Sequence, residues 1–370
     1  MLQLRKWVKP LVITVVVLAV LISCFAFIFQ APYIFHEKGA TDGNFSRVIS
    51  SVENISMANP KINEIALLGS HDALSDAITP QSEIDPAEQG VMAKFAPLVT
   101  GMQYRYAVAQ ESNLAVQLNC GVRYVDIRAS YYEGEWWTKH FFLSGKLEEY
   151  ILQLLRFLAD NQGEFVILDF QHIYFGEKSV EAFMAYLDTV TLNGKSIYDY
   201  VYYDAAAISF GELRYNDVCQ GGESGLVLIY FSEDKPFDQI TSPYMKKFYS
   251  REANVRSLWH NTTNESSIIK QINDEANYLK STDKYDDCLR INQAQQSFAA
   301  SSVFSALFKW SLLKIAEDYN VKLIENGNFE DWLTVMPVFM VDFSTSTKGN
   351  FNTRVNNILI DYNTRLCAQG

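Results

Sequence analysis

An α/β fold built on parallel strands is predicted by three features of this sequence. Short apolar runs rich in β-branched and aromatic residues recur from about Lys61 onward. Helical or loop-like stretches separate them, and one strand–helix–strand succession is complete between residues 122 and 170. The runs are nearly continuous in apolarity instead of alternating, which suits strands covered on both faces, as in a parallel sheet.

The strongest strand candidates are Glu64–Leu68 (EIALL), Val122–Ile127 (VRYVDI), Phe165–Phe170 (FVILDF), Leu226–Phe231 (LVLIYF) and Val335–Phe343 (VMPVFMVDF). Between the second and third, Leu147, Tyr150, Ile151, Leu154, Leu155 and Leu158 recur three and four apart and line one helical face. That spacing predicts a helix from about Lys146 to Asp160, stopped by Asn-Gln-Gly. A second helix is predicted over 355–366, with Val355, Ile358, Leu359, Tyr362 and Leu366 on one face. The resulting βαβ unit builds either a doubly wound sheet or a barrel.

Before this body lies a different kind of segment. Leu11 to Phe29 carries no charge, and as a helix rising about 1.5 Å per residue it spans the ~30 Å hydrocarbon layer. Arg5, Lys6 and Lys9 precede it, so residues 1–10 are expected in the cytoplasm and the body on the extracytoplasmic side of a single-pass membrane protein. A cleaved signal peptide and a lipobox at Leu21–Cys24 are the competing readings. Residues 30–60 are polar and mixed, and are expected to form a stalk below a domain running from 61 to 368.

Charge narrows the partners. The chain has a net charge of −12, and without its three N-terminal basic residues it holds 28 basic against 43 acidic residues, a net −15. Nucleic acid, bound largely through Lys and Arg, is excluded as a partner. A membrane lipid remains open as substrate if the anchor holds the enzyme near it. Aromatic residues make up 14% of the chain, which predicts a well-filled core or stacking sites. Cys120, Cys219, Cys288 and Cys367 allow three pairings or four free thiols, and the absence of a CxxC pair argues against a zinc site.

In barrels the reactive groups sit where strands run into loops at the C-terminal face. The strand ends here carry His71 and Asp72, Asp126 and Arg128, Asp169, Gln171 and His172, and Asp342; His140 is expected in the loop before the first helix. Two histidines, an arginine and several carboxylates equip a site to cleave a phosphodiester. One imidazole takes a proton from the attacking hydroxyl and the other gives one to the leaving oxygen. A guanidinium fork grips phosphate oxygens.

These residues stand in recognisable blocks. Leu67-Leu-Gly-Ser-His71-Asp72 resembles the L-x-G-[ST]-H-D signature of the X domain of phosphatidylinositol-specific phospholipases C. Gly121-Val-Arg-Tyr-Val-Asp126-Ile-Arg128 is similar to the family's second block. Lys139-His140, followed by Glu164-Phe-Val-Ile-Leu, is similar to the third, and Val338–Phe343 to the C-terminal strand. The likeness runs in order from about 61 to 365.

The resemblance implies an α/β fold of the TIM-type (β/α) barrel kind, distorted, with the transmembrane helix in front. It implies His71 as general base, oriented by Asp342. It implies His140 as general acid, supported by Asp72. Arg128 would hold the phosphate and Asp126 would position the charged cluster, with Gln171 and His172 as further substrate contacts. The product would be diacylglycerol and a cyclic inositol phosphate. An arginine at 128 resembles the bacterial type, which implies no metal or other cofactor; calcium is not expected. One departure stands out: bacterial members carry Lys-Arg after the strand that here reads Leu-Val-Leu-Ile-Tyr230-Phe231, and its absence leaves the head group open. Two other functions compete. A glycerophosphodiester phosphodiesterase on the same barrel would need His-Arg-Gly and Glu-x-Asp, where His71-Asp72 stands instead. An anchored binding domain without turnover is the other.

Overall fold

The computed structural model describes residues 12–24, 44–88, 104–297 and 311–369. Eleven strands occur among them: β1 Leu67–Ser70, β2 Val122–Ile127, β3 Ala129–Tyr132, β4 Glu135–His140, β5 Phe142–Lys146, β6 Phe165–Phe170, β7 Gly225–Tyr230, β8 Phe248–Ser250, β9 Val255–Ser257, β10 Leu289–Gln293 and β11 Val338–Val341. Eight of them form one parallel sheet in the order β8-β7-β6-β2-β1-β11-β10-β9. Within that sheet each strand except β8 neighbours the next in chain order, and β11 pairs with β1, Val341 opposite Ser70. Sequential parallel order with last strand against first is barrel closure.

The ring is interrupted between β8 and β9, the two edges of the sheet, which only the short helix Arg251–Asn254 joins. The distortion expected for the barrel therefore has a definite place. A three-stranded antiparallel sheet, β3-β4-β5, is inserted after β2. The helix Leu147–Asp160 follows it and closes the β2–β6 crossover.

Every residue of β2, β6 and β7 is buried, as near-continuous apolarity requires of strands covered on both faces. Two glycines allow the close approach of backbone. A Cβ on Gly69 would lie 3.1 Å from the Tyr124 ring and 3.2 Å from the Met340 Cα. Gly121 turns into β2 at φ +93°, and a Cβ there would lie 2.0 Å from Asn356 Oδ1.

The segment expected to be a stalk divides. Residues 30–43 lie outside the described ones, but 44–60 pack against the barrel, with Phe45, Val48, Ile49, Val52 and Ile55 buried. The cause is an ion pair with no exposure on either side: Arg123 Nε lies 2.7 Å from Glu164 Oε2. Glu164 also accepts from the Ser50 amide at 2.7 Å, and Arg123 donates to the Ser46 carbonyl at 2.8 Å. The folded body thus reaches back beyond Lys61 to residue 44. Of the expected anchor, residues 12–24 are described, as an exposed helix, and residues 11 and 25–29 are not. No helix among the described residues is long and apolar enough to cross a membrane. The cysteines among the described residues form no disulfide, and Cys120, Cys219 and Cys367 are buried.

Removing one partner of a buried ion pair strands the other in low dielectric. Glu164→Gln, which keeps shape and removes charge, is expected to lower the urea midpoint by the equivalent of about 3–5 kcal/mol. An unchanged midpoint would show that Arg123 finds other compensation.

Candidate active site

The strand ends of the barrel converge on a single cavity of about 550 Å³. Its lining draws on the C-terminal ends of all eight barrel strands or the residues just beyond them. His71, Asp72, Asp126, Arg128, His140, Gln171, His172 and Asp342 all line it. These eight residues are therefore brought to one place, while Asp169 stands behind the lining, bonded to Gln171 and Arg251.

Asp72 is the hub. Its side chain has no solvent exposure, and three cations or potential cations crowd it: Arg128 Nε at 2.6 Å, His140 Nε2 at 3.1 Å and His71 Nε2 at 3.3 Å. Burial alone would raise its carboxyl, but Arg128, His140 and His71 outweigh burial and hold it down at about 2. On its other side His71 offers Nδ1 to Asp342 Oδ1 at 2.8 Å. Burial disfavours the His71 cation, yet Asp72 and Asp342 together push it up to about 9. Burial raises the Asp342 carboxyl, against the pull of His71.

His140 does not lie in a loop. It ends β4, in the antiparallel insertion, opposite Phe142 of β5. Its Nδ1 faces the Ala107 carbonyl at 2.8 Å. A carbonyl only accepts, so Nδ1 carries the hydrogen and Nε2 is turned to Asp72 and the cavity. Burial lowers the affinity of His140 for a second proton, with Arg128 and His71 adding to that and Asp72 opposing it. The two histidines thus differ: the shared environment favours a proton on His71 over His140. Their ring centroids are 6.2 Å apart, which leaves them flanking the space between instead of bonding to one another.

A second layer of carboxylates supports the first. Gln171 donates from Nε2 to Asp126 Oδ1 and Asp169 Oδ2, both at 3.0 Å. Asp169 also accepts from the Tyr124 hydroxyl and, at 2.9 Å, from Arg251 Nε. His172 is half-exposed and contacts Glu233. Trp136 is core, set edge-on against Phe183 at 4.8 Å; Trp137 is partly exposed with Lys146 over its ring.

Backbone strain concentrates at the same strand ends. Asp72 (φ 41°), Phe141 (φ 63°), His172 (φ 50°) and Phe343 (φ 50°) are all left-handed without being glycine. Each is itself a cavity residue or directly follows one. Such conformations persist only where surrounding contacts over-determine them, and they turn the chain sharply so that neighbouring side chains aim inward.

Three contributors escape the sequence. Arg251 follows the three-residue strand β8, too short to stand out as an apolar run. Tyr106 and Ala107 lie in a stretch without periodicity. As to metals, His71, Asp72 and Asp126 offer ligand atoms within 4.8 Å of one another. Arg128 lies against all three, at 2.6 Å from Asp72, 3.4 Å from His71 Nε2 and 3.6 Å from Asp126. A fixed guanidinium charge already stands against both carboxylates.

No family model matches the chain. Among curated proteins it is 30% identical over 127 residues to human PI-PLC X domain-containing protein 3, covering 32% of this chain and 40% of that protein. It is 30% identical over 130 residues to the variant-surface-glycoprotein phospholipase C of Trypanosoma cruzi, covering 32% of this chain and 34% of that one. The matched stretch is thus well under half the length of either relative. Among solved structures, the phosphatidylinositol-specific phospholipase C of Listeria monocytogenes superposes with a TM-score of 0.57 at 18% identity, over 86% of this chain and 99% of the other. The Staphylococcus aureus enzyme gives 0.56 at 16%, over 85% and 98%. At such identities the structural likeness speaks for the barrel, and the sequence matches carry the kinship. The chain is thus a relative of the phosphatidylinositol-specific phospholipase C X-domain family.

Proposed function

We propose that this chain is a phosphodiesterase that cleaves phosphatidylinositol-type lipids without a metal ion, using His71 and His140 as its acid–base pair. The observation that carries this reading is the arrangement around Asp72. Two imidazoles, each tied back through Nδ1, present Nε2 to a cavity in which the Arg128 guanidinium lies against both His71 and Asp72. A phosphodiester bound at Arg128 would lie between them.

The inositol 2-hydroxyl attacks phosphorus, and its proton passes to His71 Nε2. The bond from phosphorus to the glycerol oxygen breaks, and that oxygen takes a proton from His140 Nε2. The products are diacylglycerol and a 1,2-cyclic inositol phosphate. Asp342 fixes the tautomer of His71 and stabilises its imidazolium, the role a carboxylate plays behind a catalytic histidine. Arg128 neutralises the charge that grows on the non-bridging oxygens. In this reading the apolar segment 11–29 tethers the acidic body to the membrane that holds its substrate, with the body on the extracytoplasmic side.

The protonation preferences favour a second assignment, with His71 as the acid and His140 as the base, because His71 holds the resting proton more tightly. Leaving-group chemistry separates the two. A leaving group of low basicity needs no proton, so it rescues only the variant that lacks the acid. With phosphatidylinositol, His71→Ala and His140→Ala are each expected to lose a factor of about 10² or more in kcat. With an inositol phosphodiester carrying a phenolate-type leaving group, His140→Ala is expected to recover most activity and His71→Ala none. The reverse pattern would exchange the roles, and full activity in both variants on the lipid would overturn the reading.

The pH dependence follows from the same groups. Catalysis needs one proton on the pair. Below the lowered value of His140 both histidines are protonated and no base remains. Above about 9, the value for His71, both are neutral and no acid remains. A bell-shaped kcat/KM is therefore expected, rising at a pH below 6.5 and falling near 9, and these limbs belong to the pair. A profile flat across that range would rule out acid–base work by these two residues.

A further inference from the structure

The segment Tyr104–Gln110 carries no catalytic group, yet it touches the machinery at three points. The Ala107 carbonyl accepts from His140 Nδ1 at 2.8 Å. The Ala109 carbonyl accepts from the amide of Phe343, the residue after Asp342, at 2.7 Å. Gln110 makes the third contact, and it is the most heavily committed side chain of the segment. It is fully buried. Its Nε2 donates to the His71 carbonyl and to the Val341 carbonyl, both at 3.0 Å. Its Oε1 accepts from the Ser344 amide at 2.9 Å and from the Ser344 hydroxyl at 3.0 Å.

These partners belong to two strands. His71 continues β1, and Val341 to Ser344 is the end of β11 and the turn beyond it. The two strands are hydrogen-bonded up to Ser70 opposite Val341, and the His71 amide adds a bond to the Val341 carbonyl at 3.1 Å. Past that point the ladder stops, and both chains enter left-handed turns at Asp72 and Phe343. The His71–Asp342 hydrogen bond is formed just there, where backbone pairing no longer holds the strands in register. The Ser70 and Ser344 hydroxyls bond across the strand ends at 2.7 Å, and one amide links the two backbones beyond them. It bonds to the backbone of the residue carrying the base, to the residue before Asp342, and to the second residue after it.

We propose that Gln110 is a positioning residue, which sets the separation of His71 and Asp342 by clipping the ends of β1 and β11 together. It rests on the acid–base reading for its kinetic consequence but not for its structural one. An amide suits the task because it both donates and accepts. No charge is introduced beside a site that already holds Asp72, Asp126, Asp342, Arg128 and His140 around His71. The sub-ångström control of a hydrogen bond between catalytic groups by their supporting shell is the general requirement it meets.

The test is a titration of the imidazoles by NMR in the full chain labelled with 15N at histidine. Gln110→Met keeps the volume and removes all four hydrogen bonds. Gln110→Leu removes them too, with a branched apolar side chain that introduces no charge. Asn363→Ala is the control, because Asn363 is another buried amide bonded to the backbone of the residue before β1, Ala66, at the far end of that strand. In either Gln110 variant His71 is expected to titrate about one unit lower than in the parent, a tenfold change in proton affinity. Asn363→Ala is expected to lose stability while leaving His71 where it was. On the proposed reaction, the Gln110 variants lose about tenfold in kcat with KM unchanged. An unshifted His71 in whichever Gln110 variant folds would overturn the proposal. The titration needs no substrate, so a parent that fails to cleave inositol lipids would refute the function and leave this result standing.

Discussion

A carboxylate without solvent has to be surrounded by positive charge, and Asp72 imposes that condition on the whole upper face of this barrel. Its partners come from different elements: Arg128 from beyond β2, His140 from the end of β4 and His71 from its own turn. A buried carboxylate stripped of these partners costs several kcal/mol. The sharp left-handed turn at Asp72 and the placement of the antiparallel insertion over the barrel are both constrained by the need to satisfy it. The same charge makes Arg128 a fixed cation in the cavity, which is what a phosphodiester anion requires.

The lower face solves a similar problem with different residues. Arg123 and Glu164 are wholly buried; Arg123 donates to the Leu118 and Val122 carbonyls, and both residues bond to backbone groups of residues 45–50. One buried ion pair therefore gathers cavity-lining groups at one end of the barrel, and another binds an added chain segment at the other. The ionic groups of β2 alternate between these jobs: Arg123 points to the foot, while Asp126 and, just beyond, Arg128 serve the mouth.

How much of this was legible in the sequence depended on length and on alternatives. The runs around Leu67, Val122, Phe165, Leu226 and Val338 are long or bulky enough to announce strands, and the helix at Leu147–Asp160 shows an uninterrupted three-and-four spacing. By contrast β8 and β9 have three residues each, and β3–β5 mix Trp, Thr, Lys and Gly in a hairpin whose alternation is blurred. His140 was readable as a site residue and not as a strand end for that reason. The wrapping of 44–60 was hidden because its five buried apolar residues sit among polar ones, and the groups it docks on, the Arg123–Glu164 pair and residues 214–216 among them, are distant in sequence. Arg251 and Gln110 carry no motif at all. Their roles exist only in three dimensions, as a guanidinium set against Asp169 and an amide set across two strand ends.

The proposed cleavage by Arg128 and two histidines, with no metal, would leave a chemical signature that separates it from the competing readings. The decisive measurement is 31P NMR of phosphatidylinositol in mixed micelles incubated with the chain in excess chelator. The account predicts the resonance of a five-membered cyclic phosphodiester as the first product. A phosphodiester that stays intact until calcium is restored, or a first product with an acyclic phosphate, would contradict it.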